Sequence, residues 1–374
     1  MSDNELIQRV LYHQVQPQSV QATYTEYNSV DFLISVGEGR SLLPNSVRIL
    51  GDLRVNSTGT TRANGQITYN RNCGGHAFID SLQVQTQNQG LIENLQNYPR
   101  YVNMDANASL DNLDMVDSRN ACELRTPNQV VSTDMCQGII HNVSTGADIT
   151  SDADFSIKPL ISLNKMDRDL PFSKSGIVTV QLNLARSMSA LFGQNQTVDA
   201  NYSLSNLRCC YKSIVEPQNT APVNMGVVYS VKSNILSGNA SISANVPAVC
   251  DSVAINFIQN QHENVPVYDN YKNEAVQGLE ELQFIMNDQT NSLVTYQLTD
   301  QTEILERFID AIKDTSHNQV SQQKFRSNCS FAAGIKFESP VDLSNNRFTL
   351  QITSGVSTFP VNVYLYFMAR TSIQ

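Results

Sequence analysis

The sequence has no tryptophan, and phenylalanine and tyrosine together make up only 7% of its 374 residues. Sugar-binding clefts rely on aromatic walls, so this shortage argues against a glycan-processing groove. Charge is scarce as well, at 16% of residues, against roughly 25% in an ordinary soluble domain. Basic runs are missing: the densest places are the isolated pairs Lys324 with Arg326 and Arg208 with Lys212. With a formal net charge of -10, broad or sequence-specific nucleic-acid binding is not expected, because it needs clustered cations to displace counterions. No apolar stretch is long enough to span a bilayer, and the opening MSDNELIQRVLY lacks the cationic start and apolar core of a signal peptide. The expectation is a protein made and kept in a cytosol-like compartment.

Reactive constellations are equally sparse. The five histidines, His13, His76, His141, His262 and His317, stand alone rather than in ligand-spaced pairs, which removes the His-x-His signature of a two-domain cupin. The most suggestive context is GGHAF at 74–78, where a Gly-Gly turn entering a strand suffices as an explanation. No Gly-x-Ser-x-Gly elbow occurs, and SVGEGRS at 35–41 lies between strands instead of opening a helix. Paired carboxylates for glycoside hydrolysis have no local signature. The acidic stretches at 105–117 and 151–155 lack the alternating oxygen ligands and central glycine of a calcium loop. Neither a metal nor a cofactor is expected. The seven cysteines include no Cys-x-x-Cys and read as reduced thiols. In the alternating run LSNLRCCYKSIV, one of Cys209 and Cys210 should enter a core and the other face out. Asn-x-Ser/Thr triplets at Asn107, Asn142 and Asn239 are what chance gives in so Asn- and Ser-rich a chain.

What is abundant is uncharged polarity and strand patterning. Asn, Gln, Ser and Thr supply a surface of low electrostatic repulsion that suits extensive protein contact. Period-two or β-branched runs predict strands at 25–35, 45–55, 76–86, 154–163, 176–185 and 204–215. They recur at 225–233, 241–246, 251–260, 329–339, 346–355 and 359–370, giving an antiparallel, all-β protein. Helical spacing is confined to ELIQRVLY (5–12), with Leu6, Ile7, Val10 and Leu11 on one face, and TEILERFIDAIKD (302–314), with Ile304, Leu305, Phe308, Ile309 and Ile312 on one face.

The two halves echo each other. QGLIENLQNYPRYVNM at 89–104 shares its opening with QGLEELQFIMND, which starts 188 residues later. Each echo reads as a strand passing into a short helix, with Pro99 interrupting the first. Gly90 and Gly278 should permit the entry, while Leu91 and Leu279 should face the cores. A second parallel aligns SIKPLISLNKMDRDLPFSKSGIVTVQL with AAGIKFESPVDLSNNRFTLQI. Two eight-stranded sandwiches in tandem follow, with the break within VEPQNTAPVNMG.

On YTEYNSVDFLISVGEGRSLLPNSVRILGDLRV (24–55), GGHAFIDSLQVQTQNQGLIENLQNYPRYVNM (74–104) and the closing NRFTLQITSGVSTFPVNVYLYFMARTSI, the chain resembles the double jelly-roll major capsid proteins of tailless icosahedral double-stranded DNA viruses. Within that adenovirus- and tectivirus-like lineage it is most similar to those of polinton-like viruses and virophages. The resemblance implies two tandem eight-stranded antiparallel jelly rolls with short helices in the inter-strand loops, at 21–217 and 218–374, behind an N-terminal arm at 1–20. It implies a structural subunit, not an enzyme, located in the virion and assembled inside the host cell. Three copies would form a pseudo-hexameric capsomer that tiles a shell around the genome, because a duplicated roll lets a three-fold object fill near six-fold positions. Partners would be the chain itself, neighbouring capsomers, penton and minor or cement proteins, and an internal membrane touched by the arm. A glycan-acting sandwich enzyme and a carbohydrate- or receptor-binding spike module are the competing classes. The residues expected at subunit contacts are Leu6, Ile7, Val10 and Leu11 in the arm, and Tyr98, Pro99 and Tyr101, which lack counterparts in the second copy.

Overall fold

The computed structural model describes residues 10–35, 37, 39–57, 65–109, 122–125, 141–143, 149–194, 200–216, 221–236, 238–276, 278–287, 296–312, 331–355 and 360–374. The strands are β1 (Leu11–Val15), β2 (Ser29–Ile34), β3 (Arg40–Leu42), β4 (Arg48–Ser57), β5 (Gly65–Thr68), β6 (Ile79–Thr86), β7 (Gly90–Leu95), β8 (His141–Val143), β9 (Ile149–Ile157), β10 (Leu170–Pro171), β11 (Val178–Leu184), β12 (Phe192–Gln194) and β13 (Ala200–Val215) in the first half. The second half contributes β14 (Val223–Ile235), β15 (Ala240–Ala244), β16 (Val249–Gln259), β17 (Leu279–Met286), β18 (Tyr296–Leu298), β19 (Ala332–Asp342), β20 (Phe348–Ser354) and β21 (Val361–Ile373). Helices are α1 (Tyr98–Ser109), the single turns α2 (Phe172–Ser175) and α3 (Ser187–Ala190), and α4 (Gln301–Ile312).

Among the described residues, the second half is a plain eight-stranded roll. One sheet runs β14-β21-β16-β19 and the facing sheet β15-β20-β17-β18, so the strands lie in the order first, eighth, third, sixth and second, seventh, fourth, fifth. The first half repeats that order with β1, β2, β4, β6, β7, β9, β11 and β13: β1, β13, β4 and β9 adjoin in one sheet, and β2-β11-β6-β7 form the other. Every pairing is antiparallel, and the first half adds β3 and β10 to its first sheet and a small sheet β12-β5-β8 built from three inter-strand connections.

Alternation fixes which face is core. In β11, Val178, Val180, Leu182 and Leu184 are buried while Thr179, Gln181 and Asn183 are partly exposed. Across the outer face of that sheet, Asp31, Gln181 and Gln83 stand in register; in the second roll Ser241, Gln351, Gln283 and Gln297 do the same. Cys209 is buried and Cys210 partly exposed, as the alternation predicts. Strand β16 and the first half of β21 break the rule, being buried nearly without interruption, which is the pattern of a sheet covered on both faces.

Helix α4 forms where expected. Asp300 begins it, its Oδ1 accepting from the Thr302 N–H at 2.6 Å, and Ile304, Leu305, Phe308 and Ala311 are buried while Glu306 and Asp310 are exposed. Helix α1 contains Pro99 in its first turn, where a missing N–H costs no helical bond, so proline helps begin this helix and does not interrupt it. Both long helices occupy the connection from the fifth to the sixth strand of their roll.

The Gln-Gly-Leu echo is not a structural equivalence. Gly90 opens β7, the fifth strand of its roll, whereas Gly278 precedes β17, the fourth of the other. Both glycines do adopt left-handed backbone, with φ of 77° and 67°. However, Leu91 is 57% exposed, outside the core, Leu279 is only partly buried, and β17 runs on to Met286 without turning into helix. The second parallel holds strand for strand, since β9 and β11 match β19 and β20 in position. The N-terminal helix also fails where it is described: Leu11 and Tyr12 belong to β1, paired with Ser213 and Lys212 of β13. A strand that completes the first sheet therefore occupies part of the stretch expected to be an arm.

Candidate functional site

Alternation along β21 sends Val363, Leu365 and Phe367 into the core of the second roll, where Phe367 packs edge-on against Phe348. The intervening Asn362, Tyr364 and Tyr366 point the other way, as do Ser230 and Lys232 of β14, their register partners. The first roll covers the β14–β21 side of this outer face with α1, β7 and the loop after β9, while the second roll's own α4 lies over β16 and β19, so the functional geometry of the chain is a buried seam between two rolls.

Arg100 of α1 is the centre of the seam. Its guanidinium lies 4.4 Å from the Tyr364 ring centroid, donates to Asn270 Oδ1 at 3.2 Å and stands 3.5 Å from Glu263. Glu263 also accepts from Lys232 at 3.0 Å and from the Tyr364 hydroxyl. Burial alone would raise the Glu263 carboxyl, but Arg100, Tyr364 and Lys232 together hold it below its ordinary range. One turn along α1, Asn103 donates to the Tyr271 carbonyl at 2.6 Å.

Two further carboxylates stitch the rolls together, Glu93 through a backbone N–H and Asp269 through a side-chain amide. Glu93 of β7 is buried and accepts from Ser162 N at 2.6 Å and from Val228 N, in the second roll, at 3.2 Å. Asp269 of the second roll accepts from Asn70 Nδ2 of the first at 2.7 Å and from Tyr271 N at 3.0 Å. Burial pushes the carboxyls of both upward, that of Asp269 to about 6. Tyr366 donates to the Asn97 carbonyl at 3.0 Å, and Gly226 N to the Lys165 carbonyl at 3.2 Å. Buried polar groups satisfied by specific partners on the other roll fix one relative placement of the two.

The residues predicted for subunit contact divide. Tyr98, Pro99 and Tyr101 are buried within the chain. Tyr98 hydrogen-bonds His76 Nδ1 at 2.7 Å, and Tyr101 packs 5.5 Å from Tyr366 across the seam. Tyr98 and Pro99 thus pack within the first roll, through His76, Leu160 and Cys73, and Tyr101 alone of the three reaches the second roll. Val10 and Leu11 are each 40% exposed, whereas Leu6 and Ile7 lie outside the described residues. The pattern search missed Arg100, Glu93, Glu263 and Asp269; their one local signal is charge embedded in otherwise apolar or amide-rich segments.

His76 is a core residue: burial pushes its ring below the ordinary range, and Nε2 faces Glu123 at 3.4 Å. His262 pairs with Glu274 at 2.6 Å, and His13 stacks on Tyr211. Among the described residues no three His, Cys, Asp or Glu side chains are grouped to hold a metal.

Among the described residues, the equivalent outer face in the first roll is left open. It presents Arg48, Asp52 and Arg54 from β4 and Cys210 and Lys212 from β13, all at least partly exposed. A cleft of about 700 Å³ on this face is lined by Tyr12, Pro44, Arg48, Lys158, Asp169 and Lys212 among others. Tyr12 is 76% exposed, with the Lys212 ammonium 4.9 Å from its ring centroid.

No family profile matches the sequence, and no curated protein resembles it in sequence. Solved structures do match. The major capsid protein of Faustovirus superposes with a TM-score of 0.61 at 6% identity, over 98% of this chain and 90% of that one. The Sputnik virophage structure gives 0.56 at 10% identity, over 98% and 87%, and the mavirus major capsid protein 0.52 at 10% identity, over 96% and 86%. At these identities the likeness establishes the fold, which is the double jelly roll of viral major capsid proteins.

Proposed function

We propose that this chain is the major capsid protein of a tailless icosahedral double-stranded DNA virus, acting as a structural subunit and not as an enzyme. Three copies form a pseudo-hexameric capsomer, and capsomers tile the shell. One observation carries the reading: two rolls of identical strand order are locked side by side through a buried seam. Such a unit supplies two equivalent sides of a hexagonal block, and three of them close a ring. Neighbouring capsomers and minor or penton proteins are the partners that follow from this role, with Val10 and Leu11 among the exposed apolar residues available for contact.

Native mass spectrometry and electron microscopy of the purified protein test the reading. The expected result is a homotrimer that associates further into shells; a monomer with saturable sugar binding would overturn it in favour of a glycan-acting protein. A second test divides the chain between residues 217 and 218. Each half should be insoluble or unfolded alone, because separation exposes the Tyr364 and Tyr366 face and strands Arg100, Glu93 and Asp269. Two soluble, cooperatively folding halves would contradict a seam needed for stability.

A further inference from the structure

We infer that Lys232 and Asn362 join in an intramolecular isopeptide bond, with Glu263 carrying the protons, and that this bond ties the first strand of the second roll to its last. It is a covalent modification within one chain and stands apart from the capsomer reading.

The amine and the amide meet at one carboxylate. Strands β14 and β21 run antiparallel with Lys232 opposite Tyr364 and Asn234 opposite Asn362, so Lys232 and Asn362 are diagonal neighbours on the outer face. Such neighbours lie roughly 7–8 Å apart, within reach of a long side chain. Glu263 stands over both, Oε1 accepting from Lys232 Nζ at 3.0 Å and Oε2 accepting from Asn362 Nδ2. An ionised carboxylate only accepts, which fixes the amide with Nδ2 toward Glu263 and Oδ1 turned away. There the Asn234 Nδ2 donates to Oδ1 at 2.8 Å. Water is largely kept from the amide, since Asn362 is 8% exposed and the Glu263 side chain 10%, and the Tyr364 ring centroid lies 5.2 Å from Nζ. An amine, an amide carbon, a proton carrier touching both nitrogens and a donor on the carbonyl oxygen are the parts that amide exchange needs. A plain ion pair would need neither the amide nor the donor behind it.

The step balances without a further reactant. Glu263 takes a proton from Lys232, whose neutral amine attacks Asn362 Cγ, and Asn234 stabilises the negative charge that forms on Oδ1. Glu263 passes that proton, and then a second one from Nζ, to Nδ2; the Cγ–Nδ2 bond breaks and the nitrogen departs as ammonium. An ammonium and a carboxamide enter, and a secondary amide and an ammonium leave. Burial works against the charge on Nζ, yet Tyr364 and Glu263 hold the ammonium above its ordinary range, and Arg100, 3.5 Å from Glu263, opposes protonation of the carboxylate. Neutral amine is therefore scarce, and the bond forms slowly in the folded chain, after folding has brought the groups together.

Intact-mass measurement on the full-length protein provides the test. After prolonged incubation the wild type should be lighter than its sequence mass by one ammonia, and trypsin should release a branched peptide joining the segments around Lys232 and Asn362. Lys232→Arg, which keeps a cation beside Glu263 and so a folded chain, should retain the full mass. Glu263→Gln should slow the reaction at least about a hundredfold, the range lost with a general acid and base. The wild type should also unfold at a higher denaturant midpoint than Lys232→Arg, because the bond closes most of the second roll into a loop. A wild type that keeps its full sequence mass overturns the inference. So does a loss of ammonia without the branched peptide, which is what ring closure at another asparagine would leave. Formation at the wild-type rate in Glu263→Gln overturns the part given to Glu263. Trimer formation is read separately and decides only the capsomer reading.

Discussion

The outer faces of the two first-eighth-third-sixth sheets occupy the same place in two rolls of the same topology, yet their side chains are opposite in kind. In the second roll, Tyr364 and Tyr366 are buried under the first roll; in the first roll, Arg48, Asp52, Arg54 and Lys212 meet solvent. Topology sets where a face lies, and what covers it selects its composition. Arg100 is the sharpest point of that contrast, a charge placed inside the seam, with its side chain 3% exposed and that of Glu263 10%. Replacing Arg100 with Ala leaves Glu263 short of a cation in a buried site and opens a void against Tyr364. The expected loss is about 3–5 kcal/mol, the range for breaking a buried ion pair, measured as a shift in denaturant midpoint at pH 7. A loss below about 1 kcal/mol would mean that the seam tolerates the residue as a surface would.

The seam should also betray itself in pH dependence. Asp269 has a folded-state value of about 6 against an ordinary 3.8, raised by burial. The folded chain therefore holds this proton more tightly than the unfolded chain. Its contribution to stability is fully present below about pH 4 and is lost as pH rises through about 6, a change of roughly 3 kcal/mol. Glu93, also raised by burial, acts in the same direction. Glu263 and Glu274, held below their ordinary range, contribute stability above about pH 4.5 that is lost on further acidification. Asp269→Asn should therefore reduce, without abolishing, the decline in unfolding free energy between pH 4 and pH 7. Urea titrations at closely spaced pH values provide the measurement, and an unaltered slope would remove Asp269 from the seam's proton inventory.

Much of the architecture was legible because alternation is a local signal. The strands at 176–185 and 204–215, the parity of Cys209 and Cys210, and the amphipathic α4 all follow from short windows of sequence. The failures share a different cause. Gln-Gly-Leu marks a glycine with positive φ at a strand entrance, and any strand of a roll can use that entrance, so the echo linked a fifth strand to a fourth. The spacing of Leu6, Ile7, Val10 and Leu11 suggested a helix because the register that claims Leu11–Val15 for a sheet comes from β13, about 200 residues away. Tyr98 and Tyr101 were set apart by an alignment of the two echoes that the fold does not follow. No local pattern says whether an aromatic pair buries against another chain or against Tyr366 of its own.

The smallest effect is the most discriminating between the two faces. Arg54 and Asp152 form a bidentate pair on the open face, at 2.7 and 3.1 Å, with both side chains more than half exposed. Water and salt screen such a pair, so Arg54→Ala should leave the unfolding midpoint of the isolated chain unchanged within error. The same pair becomes more strongly coupled if another roll settles over this face and excludes water. The substitution should then be silent in the monomer and detectable as weaker association of the assembled form, with a salt dependence lower than wild type. An Arg54→Ala chain as unstable in isolation as Arg100→Ala would erase the contrast between the faces, because a pair bathed in solvent would then matter as much as one sealed between two rolls.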